Sequence, residues 1–385
     1  MIKRYFRPAG LICIYVVVGA VFLWGSGTIF GGEYLSVEGP CDFAFPADHG
    51  AHPGYQTEWW YYTGNLYAEG GRPFGVQLTI FRRQLIPPGA EKGWPSHPSS
   101  WRAKNLFLAH IALSDVEGGR FYWDEDVARE AVGLGGVAET GDAIEVFLGR
   151  WKSMMTPSGH HLTATTDTFS FDLTCTPRKA PTAHGRGGYS QKGLGPESAS
   201  CYYSLTRLEA SGDLFVNGRT YKVKGSAWMD HEYSTAPLEP TLAGWDWFSL
   251  QLSDKTELML YILREKDGSW NPASSGTFVP STGAPQHLSR DDFRVEVMDR
   301  WRSPHSGGDY PCQWRIRVFP LQLDLEISPR MEDQELRLTR SMRVSYWEGC
   351  VTIRGRKGRG AVEGAGYVEL TGYATPFDLL GQEKR

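Results

Sequence analysis

Short runs of residues typical of β-strands, divided by turn residues, make up nearly all of the 385-residue chain after about residue 45. Each run is roughly five to ten residues long and ends at residues that favour turns, chiefly Gly, Asp, Asn, Ser or Pro. No run keeps apolar residues at the spacing of a helix face. With 45 Gly and 23 Pro scattered singly through these runs, the sequence predicts an all-β fold of antiparallel strands.

One piece of this pattern occurs twice. VKGSAWMD at 223–230 aligns without gaps to VEGAGYVE at 362–369, and each copy follows a run that opens with an aromatic pair. The front of each copy is also similar, since WWY at 59–61 corresponds to WDW at 245–247. Self-similarity of this kind indicates a repeated structural unit. We expect one β-unit used twice, at 45–235 and 241–378, after an N-terminal segment at 1–32.

The aligned strands predict which way their side chains point. Alternate residues of a strand face opposite sides of a sheet. Positions 223, 225, 227, 229 and 231 therefore share one face, and they are small or apolar except for His231. Trp228, Asp230 and Glu232 share the other face. The pattern places His231 as a polar group on what should be the interior face.

The first 32 residues predict export. Lys3, Arg4 and Arg7 precede the uncharged stretch 8–32, and acidic residues follow from Glu33. Such flanks orient an apolar segment with the following chain outside the cytoplasm. The stretch is long enough for a cleaved signal peptide or an uncleaved membrane anchor, and both alternatives stay open. We expect a periplasmic or otherwise extracytoplasmic protein.

The net charge, the cysteines and the absence of certain motifs argue against several classes of protein. The formal net charge of −4 disfavours a nucleic-acid partner, which needs a basic surface. Of the six cysteines, Cys13 lies in the leader and five follow it. An odd number implies at least one free thiol, and the others can form one or two disulfides. There is no GxSxG, HExxH, P-loop or GxGxxG motif, and the histidines at 49, 52, 160 and 161 do not have metal-site spacing. We expect no metal and no cofactor.

The densest group of ionisable and aromatic side chains is WMDHEY at 228–233, followed by GWDWF at 244–248. Its ionisable members are Asp230, His231, Glu232 and Asp246, and its aromatic members are Trp228, Tyr233, Trp245 and Trp247. A carboxyl group beside indole rings loses hydration, which raises its pKa and lets it act as an acid near neutral pH. The alternative interpretation is that the carboxylates are paired strand-end charges and the rings are core.

Other candidates carry weaker signals. Glu58 directly precedes Trp59 and Trp60 and could be a second acid, but a surface position at a strand start is favoured. Gln77 and His110 lie inside apolar runs, where such groups are more often hydrogen-bonded core residues than catalysts.

Five motifs occur in order along the chain. They are HPGYQTEWWYYTGNL at 52–66, AWMDHEY at 227–233, GWDWF at 244–248, YWEG at 346–349 and GYVELTG at 366–372. Together they resemble the carotenoid 1,2-hydratase (CrtC)/AttH-like family of lipocalin-like proteins, often described as predicted secreted hydrolases. The resemblance covers almost everything after about residue 45. It implies two lipocalin-like, calycin-type antiparallel β-barrels in tandem.

The resemblance also implies a cofactor-free reaction, the acid-initiated hydration of an isoprenoid double bond. The implied acid is Asp230 or Asp246, with His231 as its orienting partner or as the base for water. Tyr233, Trp245 and Trp247 would stabilise the carbocation, although many relatives have Trp at the position of Tyr233. The candidate substrate-binding residues are Trp228, Trp245, Trp247, Trp59, Trp60, Gln77 and His110.

A second function fits the same features. A lipid or apolar metabolite could be carried without chemistry, beside an ABC-transporter permease, since β-barrels can hold apolar ligands. The sequence thus predicts either an exported hydro-lyase for a hydrophobic substrate or a binding protein that contacts the membrane through its N-terminal segment.

Overall fold

The computed structural model of the chain describes residues 32–195, 197–236 and 239–374. The predicted leader lies outside these residues apart from Gly32, as do residues 375–378 of the second predicted unit. Within the described ranges, no helix has the length and apolar character needed to cross a membrane.

Strands account for almost all regular structure in this part of the chain, so the all-β prediction is confirmed. The first sheet contains β1 (Thr57–Ala68), β2 (Pro73–Gln84), β3 (Asn105–Asp115), β4 (Arg120–Arg129), β5 (Gly135–Thr140), β6 (Ala143–Leu148), β7 (Trp151–Thr156), β8 (Gly159–Thr165), β9 (Phe169–Pro177), β10 (Thr182–Ala183), β11 (Tyr189–Gln191), β12 (Ala199–Val216) and β13 (Arg219–Ser234). The second sheet contains β14 (Leu242–Leu252), β15 (Glu257–Glu265), β16 (Ser275–Val279), β17 (Gln286–Ser289), β18 (Phe293–Arg302), β19 (Asp309–Val318), β20 (Leu323–Pro329), β21 (Glu335–Arg337), β22 (Ser345–Lys357) and β23 (Gly360–Leu370). Short 3₁₀ turns lie at Ala47–His49, Glu69–Gly71, Ala90–Gly93, Arg290–Asp292 and Phe319–Leu321.

The first sheet is antiparallel and curls nearly into a barrel. Its order is β4-β3-β2-β1-β13-β12-β9-β8-β7-β6-β5, with β10 and β11 paired to β12, and β4 curls back to contact β6. The interior is packed with apolar side chains. A cavity among Tyr62, Leu78 and Phe171 measures only about 10 Å³, room for one water at most. That cavity is far too small for the ligand that the carrier hypothesis would place inside this barrel.

The second sheet repeats the topology of the first. Its order is β17-β16-β15-β14-β23-β22-β20-β19-β18, with β21 paired to β22, so β14 takes the place of β1 and β23 that of β13. The two aligned sequence segments fall within β13 and β23. The prediction of one β-unit used twice is therefore confirmed, although the second sheet curls only into half a barrel. The unit limits 45–235 and 241–378 stay a prediction.

Side chains of β13 alternate as the aligned segments predict. Val223, Ala227 and Met229 belong to the core inside the first sheet. Trp228 belongs to a separate cluster between the two sheets. The outer face of the first sheet is thus buried against the second, and both faces of β13 are covered over residues 227–234.

Close contacts lock the two sheets together. Asn65 Nδ2 donates a hydrogen bond of 3.0 Å to the carbonyl of Gly366, and Gln251 Nε2 donates one of 2.9 Å to the carbonyl of Ala227. A Cβ atom added at Gly75 would lie 2.7 Å from Cys350 Sγ on the second sheet. This close approach requires glycine on β2.

The cysteines divide into one disulfide and buried thiols. Cys41 is bonded to Cys201, which ties the segment before β1 to β12. The free cysteines of the described residues are Cys175, Cys312 and Cys350, all buried. One disulfide and three free thiols agree with the odd number of cysteines that follow the predicted leader.

Candidate active site between the two sheets

A row of polar side chains crosses the outer face of the first sheet. Directly paired residues of neighbouring strands point to the same side of a sheet. The strand registers pair Ser204 with Asp230, Asp230 with Tyr61, Tyr61 with Thr79, and Thr79 with His110. The pairings place these five side chains in one line across β12, β13, β1, β2 and β3, facing the second sheet.

A matching row crosses the second sheet. The registers pair Glu348 with Glu369, Glu369 with Trp247, and Trp247 with Tyr261. The Tyr61 hydroxyl donates a hydrogen bond to Glu348 Oε1 and so joins the two rows. We call the inter-sheet cluster the carboxyl groups of Asp230, Glu348 and Glu369 with the aromatic side chains of Tyr61, Tyr202, Trp228 and Trp247.

Asp230 lies at the centre of this cluster and is only 4% exposed. Its Oδ2 accepts a hydrogen bond of 2.7 Å from the Tyr202 hydroxyl, and its Oδ1 accepts bonds from Trp228 Nε1 at 2.6 Å and from the Ser204 hydroxyl. Burial raises the pKa of Asp230 to about 7, against the effect of these three donors and with the help of the nearby charge of Glu232. A carboxyl group with this pKa supplies both a proton and its conjugate base at neutral pH.

Glu369 and Glu348 form a second acidic element. They are direct cross-strand partners, and Trp245 Nε1 donates a 2.7 Å hydrogen bond to Glu369 Oε1. Burial raises the pKa of Glu369 to about 7, helped by the charges of Asp230 and Glu232 and opposed by hydrogen bonds from Trp245 and Glu348. Burial and the neighbouring Glu369 raise the pKa of Glu348 well above its usual value. Glu348 Oε2 is buried without a hydrogen-bond partner among the described residues. The pair therefore holds at least one proton at neutral pH, because two carboxylates this close do not both ionise.

Aromatic rings enclose these carboxyl groups. The rings of Tyr61 and Trp247 meet edge to face with centroids 5.1 Å apart, and Trp228 meets Trp247 in the same way at 6.3 Å. Trp247 Nε1 donates a 3.1 Å hydrogen bond to the Tyr202 hydroxyl, which orients that hydroxyl toward Asp230. Indole and phenol faces stabilise a positive charge that lies over them. The inter-sheet cluster can therefore both donate a proton and support a cation.

An open groove of about 460 Å³ lies beside the cluster. Lys192 Nζ lies 4.2 Å from the centroid of the Tyr261 ring, which lines the groove, and 4.9 Å from that of Tyr202. The same Nζ atom pairs with Glu232 Oε1 at 3.1 Å. Contacts thus run without a break from the groove through Lys192 and Tyr202 to Asp230. The groove is lined by Gly185, Arg186, Tyr189, Gln191, Gly193, Leu194, Tyr261, Pro272, Ala273, Ser274, Ser275, His287, Ser289 and Arg290.

His231 lies on the opposite face of β13, at one end of the first barrel. Its Nε2 contacts Glu58 Oε1 at 2.9 Å, and its Nδ1 contacts the Tyr203 hydroxyl at 2.9 Å. Because neighbouring strand residues point in opposite directions, His231 does not orient Asp230, and that expectation is wrong. The surface position favoured for Glu58 is also wrong, since Glu58 is fully buried and pairs with Arg82 at 2.7 Å.

The same barrel end brings together donor atoms that could hold a metal ion. Ligand atoms of His52, Glu58 and His231 all lie within 4.8 Å of one another, although the histidines are 6 and 173 positions from Glu58. Hydrogen bonds already account for this arrangement, because His52 bonds Glu58 at 2.7 Å and Asp48 at 2.9 Å. Burial opposes charge on His52, but its bonds to these two carboxylates hold its pKa above the usual value.

Tyr233 and Trp60 also belong to the barrel end. The Tyr233 ring stacks on His52 with centroids 3.6 Å apart, and the Trp60 ring stacks on His231 at 4.8 Å. Neither ring faces the inter-sheet cluster, so the structure separates Tyr233 from Asp230.

Asp246 lies on a third surface, inside the curl of the second sheet. Arg264 Nε donates a 2.8 Å hydrogen bond to it, and the Tyr373 hydroxyl lies 3.0 Å from both of its carboxylate oxygens. The flanking Trp245 and Trp247 face the inter-sheet cluster because they occupy alternate positions of β14. Asp230 and Asp246 therefore do not share a site, and Asp246 is a charge-paired group.

The remaining predicted residues lie around the inter-sheet face. Gln77 Nε2 donates a 2.5 Å hydrogen bond to Thr79 on that face. His110 Nδ1 contacts the Tyr346 hydroxyl at 3.0 Å, and burial lowers the His110 pKa to about 4, so it is neutral. Trp59 is partly exposed and packs against the edge of the cluster.

The sequence analysis missed the side chains that complete the site. These are Tyr61, Tyr202, Lys192, Glu348 and Glu369. One signal was available for Glu369, because it is the counterpart of Asp230 in the aligned repeat. The partners contributed by the other strands depend on how the two sheets dock.

Comparisons with known proteins agree with this architecture. The crystal structure of an AttH-type protein from Nitrosomonas europaea is 34% identical to the chain, with a TM-score of 0.76 over 88% of this chain and 100% of that one. Kievitone hydratase from Nectria haematococca is 17% identical, with a TM-score of 0.60 over 89% and 99%. CghA, solved with Sch210972, is 13% identical, with a TM-score of 0.53 over 90% and 98%. The last two similarities show the fold alone.

A comparison with curated proteins gives no match. The family model described as AttH-like matches residues 36–373, which is most of the chain. On the strength of this match and of the Nitrosomonas europaea structure, the chain belongs to the AttH-like family.

Proposed function

We propose that the protein is an exported hydro-lyase that adds water across a double bond of an isoprenoid-like substrate at the inter-sheet cluster. The observation that carries the proposal is Asp230, a buried carboxyl group with a pKa of about 7 beside the indole rings of Trp228 and Trp247. The fold shared with kievitone hydratase supports it, and the N-terminal charge pattern supports export.

The reaction begins with proton transfer from Asp230 to one alkene carbon. A C–H bond forms from the π electron pair, and the more substituted carbon becomes a cation that the aromatic faces stabilise. Water then forms a C–O bond to the cation. The carboxylate of Glu369 accepts the proton that the captured water loses. General acid catalysis of this kind contributes about 10²- to 10⁴-fold to the rate.

The groove supplies a path for such a substrate. Its volume of about 460 Å³ is in the usual range for ligand sites. Its lining combines apolar groups such as Leu194 and Pro272 with Arg186 and Arg290, which suit a hydrophobic molecule with a polar end. The substrate's reactive bond would pass Tyr261 and Lys192 to reach Asp230.

The test is incorporation of ¹⁸O from labelled water into a panel of isoprenoid alkenes, including acyclic carotenoids, by the full chain. We expect incorporation by the unchanged protein and a loss of at least about 100-fold in Asp230→Asn. Asp246→Asn should keep most of the activity if the variant folds, because Asp246 lies away from the cluster. The matched control is Asp167→Asn, whose side chain is 99% exposed. A copurified lipid that remains unchanged, with no incorporation across the panel, would favour the carrier function instead.

A further inference from the structure

A buried histidine connects Asp230 to the second sheet through hydroxyl groups. His184 is fully buried, directly after β10. Its Nε2 lies 2.6 Å from Ser204 Oγ, and its Nδ1 lies 2.9 Å from Thr277 Oγ1. Ser204 in turn donates a hydrogen bond to Asp230 Oδ1. Four groups thus form one continuous hydrogen-bonded chain from β16 to the proposed acid.

Every member of this chain can both donate and accept a hydrogen bond, and the carboxyl group does so when it is protonated. Serine and threonine hydroxyls do so by rotation, and a neutral imidazole has one donor and one acceptor nitrogen. Burial lowers the pKa of His184 well below its usual value, and the charge of Lys192 lowers it further. His184 is therefore neutral, as a two-way relay requires.

We propose that His184 and Ser204 relay protons from the groove side of the molecule to Asp230. The purpose of the relay rests on the proposed function, but the path itself is defined by the contacts of His184, Ser204 and Thr277. In this scheme His184 acts through Asp230 and does not touch the substrate, so it is a positioning residue.

The protons of the chain have two consistent arrangements. When Asp230 is ionised, Ser204 donates to it, His184 Nε2–H donates to Ser204, and Thr277 donates to His184 Nδ1. When Asp230 is protonated on Oδ1, each bond reverses, and His184 carries its proton on Nδ1. In this change Thr277 passes its hydroxyl proton to His184 Nδ1 and takes a replacement from solvent. Nε2 passes its proton to Ser204, and Ser204 passes its own to Asp230. This replaces the proton that Asp230 gives to the alkene, with no change in the number of electrons.

The outer end of the chain leads to the groove. Thr277 on β16 is the direct register partner of His287 on β17, so both side chains face the same way. His287 is exposed and lines the groove. Thr277 is itself buried, so the proposed entry for protons is from the groove past His287, its exposed register partner.

Charged groups from every packed element influence this chain. Glu232 lies on the same strand as Asp230, Lys192 lies on the loop beside it, and Glu348 and Glu369 face it from the second sheet. Lys192 and His287 face His184. Of these groups in the described part of the protein, Asp230 is the one that belongs to the hydrogen-bonded chain, so its protonation should control the His184 tautomer.

The first test needs no substrate. The ¹⁵N shifts of the histidine side chains report which imidazole nitrogen carries the proton, and the His184→Asn variant identifies the His184 signals. We expect mostly Nδ1–H at pH 5 and mostly Nε2–H at pH 9, with a midpoint near the Asp230 pKa of about 7. In Asp230→Asn the tautomer should not change with pH. A single tautomer from pH 5 to 9 in the unchanged protein overturns the relay.

The second test is kinetic and uses the hydration assay above. His184→Asn should lower steady-state turnover about 10- to 100-fold while the first turnover keeps its rate, since Asp230 begins protonated. Added imidazole should restore part of the loss, which a merely structural defect would not show. The matched control is His160→Asn, another buried histidine, which bonds Tyr62 inside the barrel. Equal turnover in His184→Asn and the unchanged protein would refute the relay. If the unchanged protein hydrates no substrate, the proposed function is refuted, and the tautomer test alone decides the relay.

Discussion

The raised pKa of Asp230 makes a prediction about stability that needs no substrate. Between its unfolded pKa of 3.8 and its folded pKa of about 7, the folded protein holds a proton that the unfolded chain has lost. The free energy of unfolding therefore falls as pH rises through this window, by about 1.4 kcal/mol per pH unit. The penalty is absent below the window and complete above it. Asparagine cannot ionise, so Asp230→Asn should lack this slope.

The expected magnitude follows from the two pKa values. The full penalty for the shift from 3.8 to about 7 is about 4 kcal/mol. About 3 kcal/mol of it should develop between pH 5 and pH 8. From pH 5 to pH 8, the free energy of unfolding of Asp230→Asn should therefore rise by about 3 kcal/mol relative to that of the unchanged protein. The charge of Asp230 also raises the pKa of Glu369, so its removal adds to the gain.

Urea unfolding at pH 5 and pH 8, followed by tryptophan fluorescence, measures the difference for each protein. The control is Asp167→Asn, whose exposed carboxylate should give the same difference from the unchanged protein at both pH values. If the relative stability of Asp230→Asn changes by less than about 1 kcal/mol between pH 5 and pH 8, Asp230 is ionised at neutral pH and the acid assignment is wrong.

Three further predictions concern packing and pairing, each measured by urea unfolding. Glu58→Gln should lower the free energy of unfolding by about 3–5 kcal/mol, because it leaves buried positive partners unpaired. The control Glu209→Gln, at an exposed ion pair, should lower it by less than about 1 kcal/mol. Equal losses in the two variants would show that the barrel-end network contributes little. Replacing Cys41 and Cys201 by Ser should cost about 2–4 kcal/mol under oxidising conditions, and a variant as stable as the oxidised parent would argue against the bond. Gly75→Ala should cost about 1–3 kcal/mol because its Cβ would lie 2.7 Å from a sulfur of the second sheet, and a neutral effect would mean that the sheets can separate.

Much of the fold could be predicted because strand formation and side-chain alternation depend on residues that are close together in the sequence. The alternation of side chains along β13 was enough to place Asp230 and His231 on opposite faces. The same alternation separates Asp246 from Trp245 and Trp247, but the sequence analysis grouped all three as one candidate site. The two-residue alternation of a strand is sufficient by itself to place Asp246 on one face and the two tryptophans on the other.

Other features depended on contacts between distant parts of the chain. Tyr61 and Glu348, 287 positions apart, meet only because the outer faces of two sheets pack together. Glu58 is buried because the segment that carries His52 folds over the barrel end. A single sequence contains no distance information about such pairs.

The sequence by itself determined the all-β class, the repeated unit and the direction of each side chain along its strand. These properties follow from the two-residue period of extended backbone and from turn chemistry, both of which act over a few residues. Only the tertiary structure decided that the outer faces of the two sheets are also buried, because packing the sheets together removes water from whatever lies between them. That burial raised the pKa of Asp230 and Glu369, and so converted ordinary strand residues into a candidate acid site.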